Sequence, residues 1–206
     1  MSKEIWIIRH GQSLANNGQK TSIPSTIPLS ELGHQQAENL TTQVINRPDL
    51  IIVSPYLRTQ ETSQPVRNKF KDVPVETWPI QEFTYIEPSR CINTTTEERR
   101  PLVLEYWKRK DPYYKDGENA ESFAMLYERV RSMFKKLNQL NKENYKFIVI
   151  FCHGQFMKAA QVYVSNPKST IEEAMDHFID KNLNNEIKNT QIDKYSIVDS
   201  EIMKIN

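Results

Sequence analysis

IWIIRHGQS, residues 5–13, sends four apolar residues straight into Arg9, His10 and Gly11. A buried strand ordinarily ends in a turn built from Gly, Asn or Asp; this one ends in a permanent cation, a titratable imidazole and a glycine. The ending recurs at FIVIF, residues 147–151, which runs into Cys152-His153-Gly154. LIIVS, residues 50–54, is a third continuous apolar run, followed by Pro55 and, in the next turn, Arg58. Such short, uniformly apolar runs fit strands of a parallel sheet covered on both faces. Ligands of these sheets bind beyond the carboxyl ends of the strands. Three parallel strands would then gather Arg9, His10, Arg58 and His153 around one point. Two guanidiniums, two imidazoles and a helix N-terminus there make an anion pocket, and forked arginines match a tetrahedral phosphate. One His-Gly after a strand is ordinarily a turn, and Arg58 alone a solvated helix residue; two His-Gly pairs after two buried strands favour a site.

The segments between these strands read as helices and loops. Residues 12–28 are polar, with Gly18, Pro24 and Pro28, and read as a long loop. Ser30 is placed to cap a helix carrying Leu32, Ala37, Leu40 and Val44, with Gly33 weakening its first turn. Ser54-Pro55 reads as an N-cap and first position of the Arg58 helix, which Pro65 should end or kink. VPVETWPI, residues 73–80, has strand character. Thr95-x-x-Glu98 fits a capping box, with one or two short helices interrupted at Pro101. From Glu121 onward, Phe123, Leu126, Tyr127, Val130, Phe134 and Leu137 mark a strong amphipathic helix. Gln155–Val164 reads as another helix, and Ser169-x-x-Glu172 as a capping box opening one to about Leu183. Residues 190–198 suit a last strand with an exposed edge that could pair a homodimer. The alternation predicts a single α/β domain over 1–206. It would be a three-layer sandwich with a mostly parallel central sheet flanked by helices, with residues 83–119 as a small inserted cap.

Bulk properties agree with an ordinary globular chain. At 206 residues, 38% hydrophobic and 26% charged, with formal net charge +1, the chain can bury a real core. Nothing points to nucleic acid or a membrane surface. No apolar run reaches membrane-spanning length, and the N-terminus enters a strand pattern with no signal-peptide features, so a cytoplasmic location is the expectation. Cys91 and Cys152 are not spaced as metal ligands and read as reduced, packed residues.

The motifs, in order along the chain, resemble the histidine phosphatase superfamily, the phosphoglycerate mutase-like fold. Arg9-His10-Gly11-Gln12-Ser13-Leu14-Ala15-Asn16 looks like its RHG signature. Leu29–Ala37 is similar to its first helix, Ser54-Pro55-Tyr56-Leu57-Arg58-Thr59 to its second-arginine motif, and Ile80-Gln81-Glu82-Phe83 to the segment with its acid. Cys152-His153-Gly154 matches its second histidine. The resemblance covers roughly residues 4–165. It implies that His10 takes the phosphoryl group as a nucleophile, its other ring nitrogen donating to a nearby backbone carbonyl. Arg9, Arg58 and His153 would hold the phosphoryl oxygens, and Glu82 would protonate the leaving alcohol and then activate water. Read without the resemblance, Glu82 is a solvated carboxylate after a strand and Asn16 a loop-turn residue. Many relatives carry Glu where this chain has Gln12; an amide cannot transfer a proton at neutral pH, which leaves the acid role to Glu82.

Mutases of the family resemble RHGES-x-WN, but this chain has Ala15 in place of the tryptophan and lacks a long shielding insertion. The resemblance therefore implies a metal-independent phosphomonoesterase with no cofactor, acting on a small phosphorylated substrate; a phosphomutase and an idle phosphate-binding relative are the alternatives. Gln12, Ser13 and Asn16 would sit near the phosphate. Tyr85 and Arg99, in the cap, would meet the rest of the substrate, whereas Arg90 and Arg100 fit a solvated charge run equally well.

Overall fold

The computed structural model describes residues 2–141 and 144–205. Strands β1 (Lys3–Arg9), β2 (Leu50–Val53), β3 (Val75–Thr77), β4 (Phe147–Cys152), β5 (Ile192–Val198) and β6 (Glu201–Ile205) form one sheet in the order β3-β2-β4-β1-β5-β6. The first four lie parallel, and β5 and β6 add antiparallel strands. Helices α1 (Glu31–Gln43) and α2 (Leu57–Lys69) cover one face. The other carries α4 (Phe123–Gln139), α5 (Gly154–Ser165), α6 (Ile171–Asn184) and α3 (Arg100–Lys108). The uniform apolar runs now have their cause. Ile5 and Ile7 of β1 face the α4–α5 side and Ile8 the α1–α2 side, all fully buried. Each side chain contributes about 1.5–3 kcal/mol by leaving water.

The register sets the site. Arg9 pairs with Cys152 across β1 and β4, so His10 and His153 are the next residues on adjacent strands. The His10 N–H donates to the Cys152 carbonyl, and the Ser54 N–H to Phe151, one strand over.

Several local expectations are corrected. Helix α2 starts at Leu57 with Tyr56 as its N-cap, not at Ser54-Pro55. The Ser54 hydroxyl is committed to the Tyr56 N–H and to His153, which delays the helix by two residues. Pro65 does not end α2, which continues to Lys69. An interior proline costs about 3 kcal/mol; here the buried Thr59, Thr62, Ser63 and Val66 hold the helix to its neighbours. Of residues 73–80 only Val75–Thr77 pair, and they form an edge strand. The Thr95–Glu98 reciprocal bonds form, but Pro101 lies in the first turn of α3 rather than interrupting it. The second capping box is Thr170–Glu173, one residue later than expected. Strand β5 is not an edge: β6, unforeseen, pairs with it across Asp199-Ser200, both with positive φ (47° and 73°). That conformation fits a two-residue hairpin turn, and it removes the basis for a homodimer edge at 190–198.

Gly33 has a packing reason. A Cβ there would lie 2.0 Å from the Gln12 carbonyl oxygen, and one on Gly11 would lie 2.6 Å from the Gly33 carbonyl. The start of α1 thus packs backbone to backbone against the loop after His10. Gly33→Ala is expected to destabilise by about 1–3 kcal/mol and to lower turnover by pushing that loop aside. Urea unfolding at an unchanged m-value, beside a kcat measurement, checks both effects.

Candidate active site

His10 is 2% exposed and His153 is fully buried, with their ring centroids 5.2 Å apart. The His10 Nδ1 donates to the Gly11 carbonyl at 2.6 Å, and its Nε2 accepts from the Arg58 Nε–H at 3.1 Å. The imidazole is therefore a neutral Nδ1–H tautomer with its Nε2 lone pair turned toward a guanidinium. His153 Nε2 shares a 2.8 Å hydrogen bond with the Ser54 hydroxyl. Tyr56 packs edge-on against the His153 ring, and Arg58 lies over the Tyr56 ring.

The arginines are held by backbone. Arg58 Nη1 donates to the Pro24 carbonyl at 2.7 Å, and Arg9 Nη1 donates to the Ile187 carbonyl. A Cβ on Gly154 would stand 3.3 Å from Arg9 Nε, so the glycine of the second His-Gly pair lets the Arg9 side chain lie against the start of α5. The Gly11 N–H donates to the Thr62 hydroxyl, one turn beyond Arg58, locking the His10 loop to α2.

Glu82 lies where the chain passes the start of α5. Its Oε1 accepts from the Gln155 N–H and from its neighbour Phe83 N–H, each at 3.1 Å, so it meets the positive end of α5. Glu82 and Arg58 both line a cleft of about 240 Å³. Tyr85, Arg99 and Gln155 line it too, together with the apolar side chains of Phe83, Ile86 and Val103. A second hollow, with Tyr56, Gln81, Lys115 and Asn119 in its walls, shares Pro24, Glu82, Thr84 and Pro88 with the first. Glu82 thus stands at the junction of two openings.

The remaining candidates are placed as follows. Asn16 Oδ1 accepts from the Ser13 N–H and hydroxyl. The Gln12 Oε1 accepts from the Ser30 hydroxyl, and the Gln12 N–H donates to Gln36, both toward α1. Arg90 pairs with Asp116 and Arg100 with Glu97, away from the cleft lining. Glu121 makes a two-pronged ion pair with Arg129, whose guanidinium also donates to the Pro79 and Gln81 carbonyls and so braces the Glu82 segment. Among the described residues, no group of three or more His, Cys, Asp or Glu side chains converges as a metal site, and no helix is long and apolar enough to cross a membrane.

Burial, then the Arg58 and Arg9 charges, push His10 well below the ordinary histidine value; the Gly11 carbonyl opposes weakly. His153 is likewise pushed far down, by burial first and then by Arg58. Burial also lowers Arg58 to about 10 against the pull of Glu82, and the guanidinium stays charged at neutral pH. The unfolded chain binds protons on these histidines below pH 6.5 while the folded one does not. Stability must then fall as pH drops from about 6.5 toward the depressed folded values, at up to about 1.4 kcal/mol per pH unit per imidazole. Melting temperature between pH 7 and 5 should show this slope, and His153→Gln should flatten it.

Sequence reasoning missed the Ser54–His153 bond, the Thr62 hydroxyl and the Gln155 N–H. The spacing of Thr62 four residues after Arg58 is a signal for the second; the other two depend on which strands are neighbours.

A mixed sheet whose two central, parallel strands end in Arg-His-Gly and Cys-His-Gly beside a buried arginine defines an α/β protein built to hold an anion at its strand tips. Comparison with known proteins gives it a family. The histidine phosphatase superfamily (branch 1) profile matches residues 5–182, and the chain belongs to that superfamily. The adenosylcobalamin/alpha-ribazole phosphatase of Escherichia coli K12 is 26% identical over 155 residues, 72% of each chain. Among solved structures, a putative alpha-ribazole-5'-P phosphatase from Escherichia coli superposes with a TM-score of 0.76 at 22% identity, covering 98% of this chain and 94% of the other. A mycobacterial glucosyl-3-phosphoglycerate phosphatase gives 0.71 at 19% identity, covering 95% and 91%.

Proposed function

We propose that the chain is a metal-independent phosphomonoesterase that passes a phosphoryl group to His10 Nε2 and then to water. The observation that carries this reading is the His10 tautomer: Nδ1 is tied to Gly11 O, so the remaining lone pair is on Nε2, under Arg58. A phosphate monoester entering the cleft would exchange its oxygens for that lone pair as the partner of the Arg58 N–H. Arg9, with a buried Nε that has no partner among the described residues, and His153, with a buried Nδ1 that has none among them, have donor or acceptor capacity left to offer the phosphoryl group. Charge on the transferring group is then met by groups already in place, which is the main source of rate in phosphoryl transfer. Glu82, at the junction of the two openings, is near enough to Arg58 to serve the departing alcohol on one side and an incoming water on the other. Turnover of p-nitrophenyl phosphate in EDTA tests the reading. A well-folded sample with no turnover would favour a phosphate-binding relative, and phosphoryl exchange between the hydroxyls of a phosphoglycerate would favour a mutase.

The leaving group would be a small metabolite with an apolar body and a second anion. Phe83, Tyr85, Ile86 and Val103 supply the apolar wall, and Arg99 is the cation on it. Arg99 makes a long 3.4 Å bond to the Thr96 hydroxyl, whereas Arg90 and Arg100 are spent on carboxylates. Arg99→Ala is expected to raise KM about 10-fold for substrates with a second anion while kcat changes by less than about threefold, the pattern of lost uniform binding. A screen of phosphorylated metabolites against both proteins, begun with the substrate classes in the relatives' names, checks it.

A further inference from the structure

We infer that Asn189 is a positioning residue for His10, acting through the backbone of the nucleophile loop; this rests on the phosphohistidine reading. Residues 185–191, between α6 and β5, run directly behind the Arg9-His10-Gly11 turn. Their grip is specific. The Asn189 side-chain amide donates to the His10 carbonyl at 3.0 Å and to Asn16 Oδ1 at 3.3 Å. The Thr190 N–H also points at the His10 carbonyl, and the Gln191 carbonyl accepts from the Arg9 N–H at 3.0 Å. Ile187 O, in the same segment, holds the Arg9 guanidinium.

The consequence lies one peptide further on. The His10 carbonyl belongs to the 10–11 peptide, and the Gly11 carbonyl to the next. Fixing the first plane limits where the second can point, and the Gly11 carbonyl is the acceptor that keeps the proton on His10 Nδ1. Through Asn16, the same amide also reaches the first turn of the loop, since Asn16 Oδ1 also receives both Ser13 donors. Asn189 therefore ties His10 to Asn16 and selects the tautomer that exposes Nε2.

Backbone strain at the neighbour supports a constrained role. Thr190 has φ = 58°, a left-handed conformation that a β-branched residue rarely adopts. Its hydroxyl satisfies the Asn189 carbonyl at 2.7 Å. A chain free to relax would not keep a threonine there; keeping it aims both the Asn189 amide and the Thr190 N–H at one carbonyl.

Asn189→Ala and the near-isosteric Asn189→Asp test the assignment, because aspartate fills the same space without an N–H donor. Both are expected to lower kcat about 10- to 100-fold with KM within about twofold, the cost of a misplaced reacting group. Nitrogen-15 imidazole spectra should show a single Nδ1–H tautomer for His10 in the parent protein and a mixture in both variants. Variants that keep parental kcat and a single tautomer, even with a lowered Tm, would overturn the proposal and leave Asn189 a merely structural residue. The spectra read the imidazole directly, so a protein with no phosphatase turnover would sink the phosphohistidine reading while leaving the positioning assignment separately decided.

Discussion

His10→Ala is expected to abolish phosphatase turnover, by about 10⁵-fold, on the scale seen when a covalent nucleophile is removed from an otherwise intact site. The fold should survive. The imidazole is buried but neutral, and its removal leaves Arg58 Nε short of one acceptor at the edge of a water-accessible cleft. The cost should be about 1–3 kcal/mol, readable as a modest drop in Tm. The sharper readout is covalent. A parent enzyme quenched in alkali during turnover should carry a phosphoryl group that is stable to base and lost in acid, as expected for phosphorus on nitrogen, and the alanine variant should carry none. His153 is the competing nucleophile. Its Nε2 is engaged by Ser54, and among the described residues no backbone carbonyl fixes its tautomer as Gly11 fixes that of His10, so His153→Ala should slow labelling without preventing it. Label that persists in His10→Ala and vanishes in His153→Ala would reverse the two roles.

The part of the site that could be read along the chain is the part made by strand endings. IWII and FIVIF are apolar on both faces because helices cover both faces, and a run of that kind must stop where the sheet stops. Residues following two such strands are neighbours if the strands are. The Arg9–Cys152 pairing makes the two histidines so. Arg58 followed from the strand-to-helix order, although the start of its helix was displaced because Ser54 turns its hydroxyl to a partner 99 residues away.

What could not be read depends on contacts without a local pattern. Pro65 survives inside α2 because tertiary packing outweighs its local penalty, and no window of sequence contains that packing. Strand β6 escaped notice because Asp199-Ser200 lacks the glycine that ordinarily marks a tight hairpin. Gly33 reads along the chain as a weakness of α1, and only the Gln12 backbone packed against it gives its reason. Asn189 carries no motif of its own; its meaning comes from the His10 carbonyl, 179 residues earlier in the chain.

Glu82→Gln should separate proton transfer from everything else the site does. The substitution keeps an oxygen at Oε1, so the Phe83 and Gln155 N–H groups retain their acceptor and the start of α5 stays capped. What is lost is a proton that can move. Departure of an alkyl alkoxide needs that proton, because the bare alkoxide is a far stronger base than water at neutral pH. For an alkyl phosphate the variant is expected to lose about 10²- to 10⁴-fold in kcat/KM, the usual worth of a positioned acid. p-Nitrophenolate leaves readily as an anion, so kcat/KM for p-nitrophenyl phosphate should fall far less. The second half-reaction also draws on Glu82, now as base for water. With p-nitrophenyl phosphate the variant should therefore form phosphoenzyme quickly and clear it slowly, giving a burst of nitrophenolate equal to the enzyme present. Equal losses on both substrates with no burst would take Glu82 out of proton transfer and leave it as the cap of α5. Gln12 offers no substitute, since its amide oxygen is held by the Ser30 hydroxyl at 2.7 Å and an amide has no acidic proton to give at neutral pH.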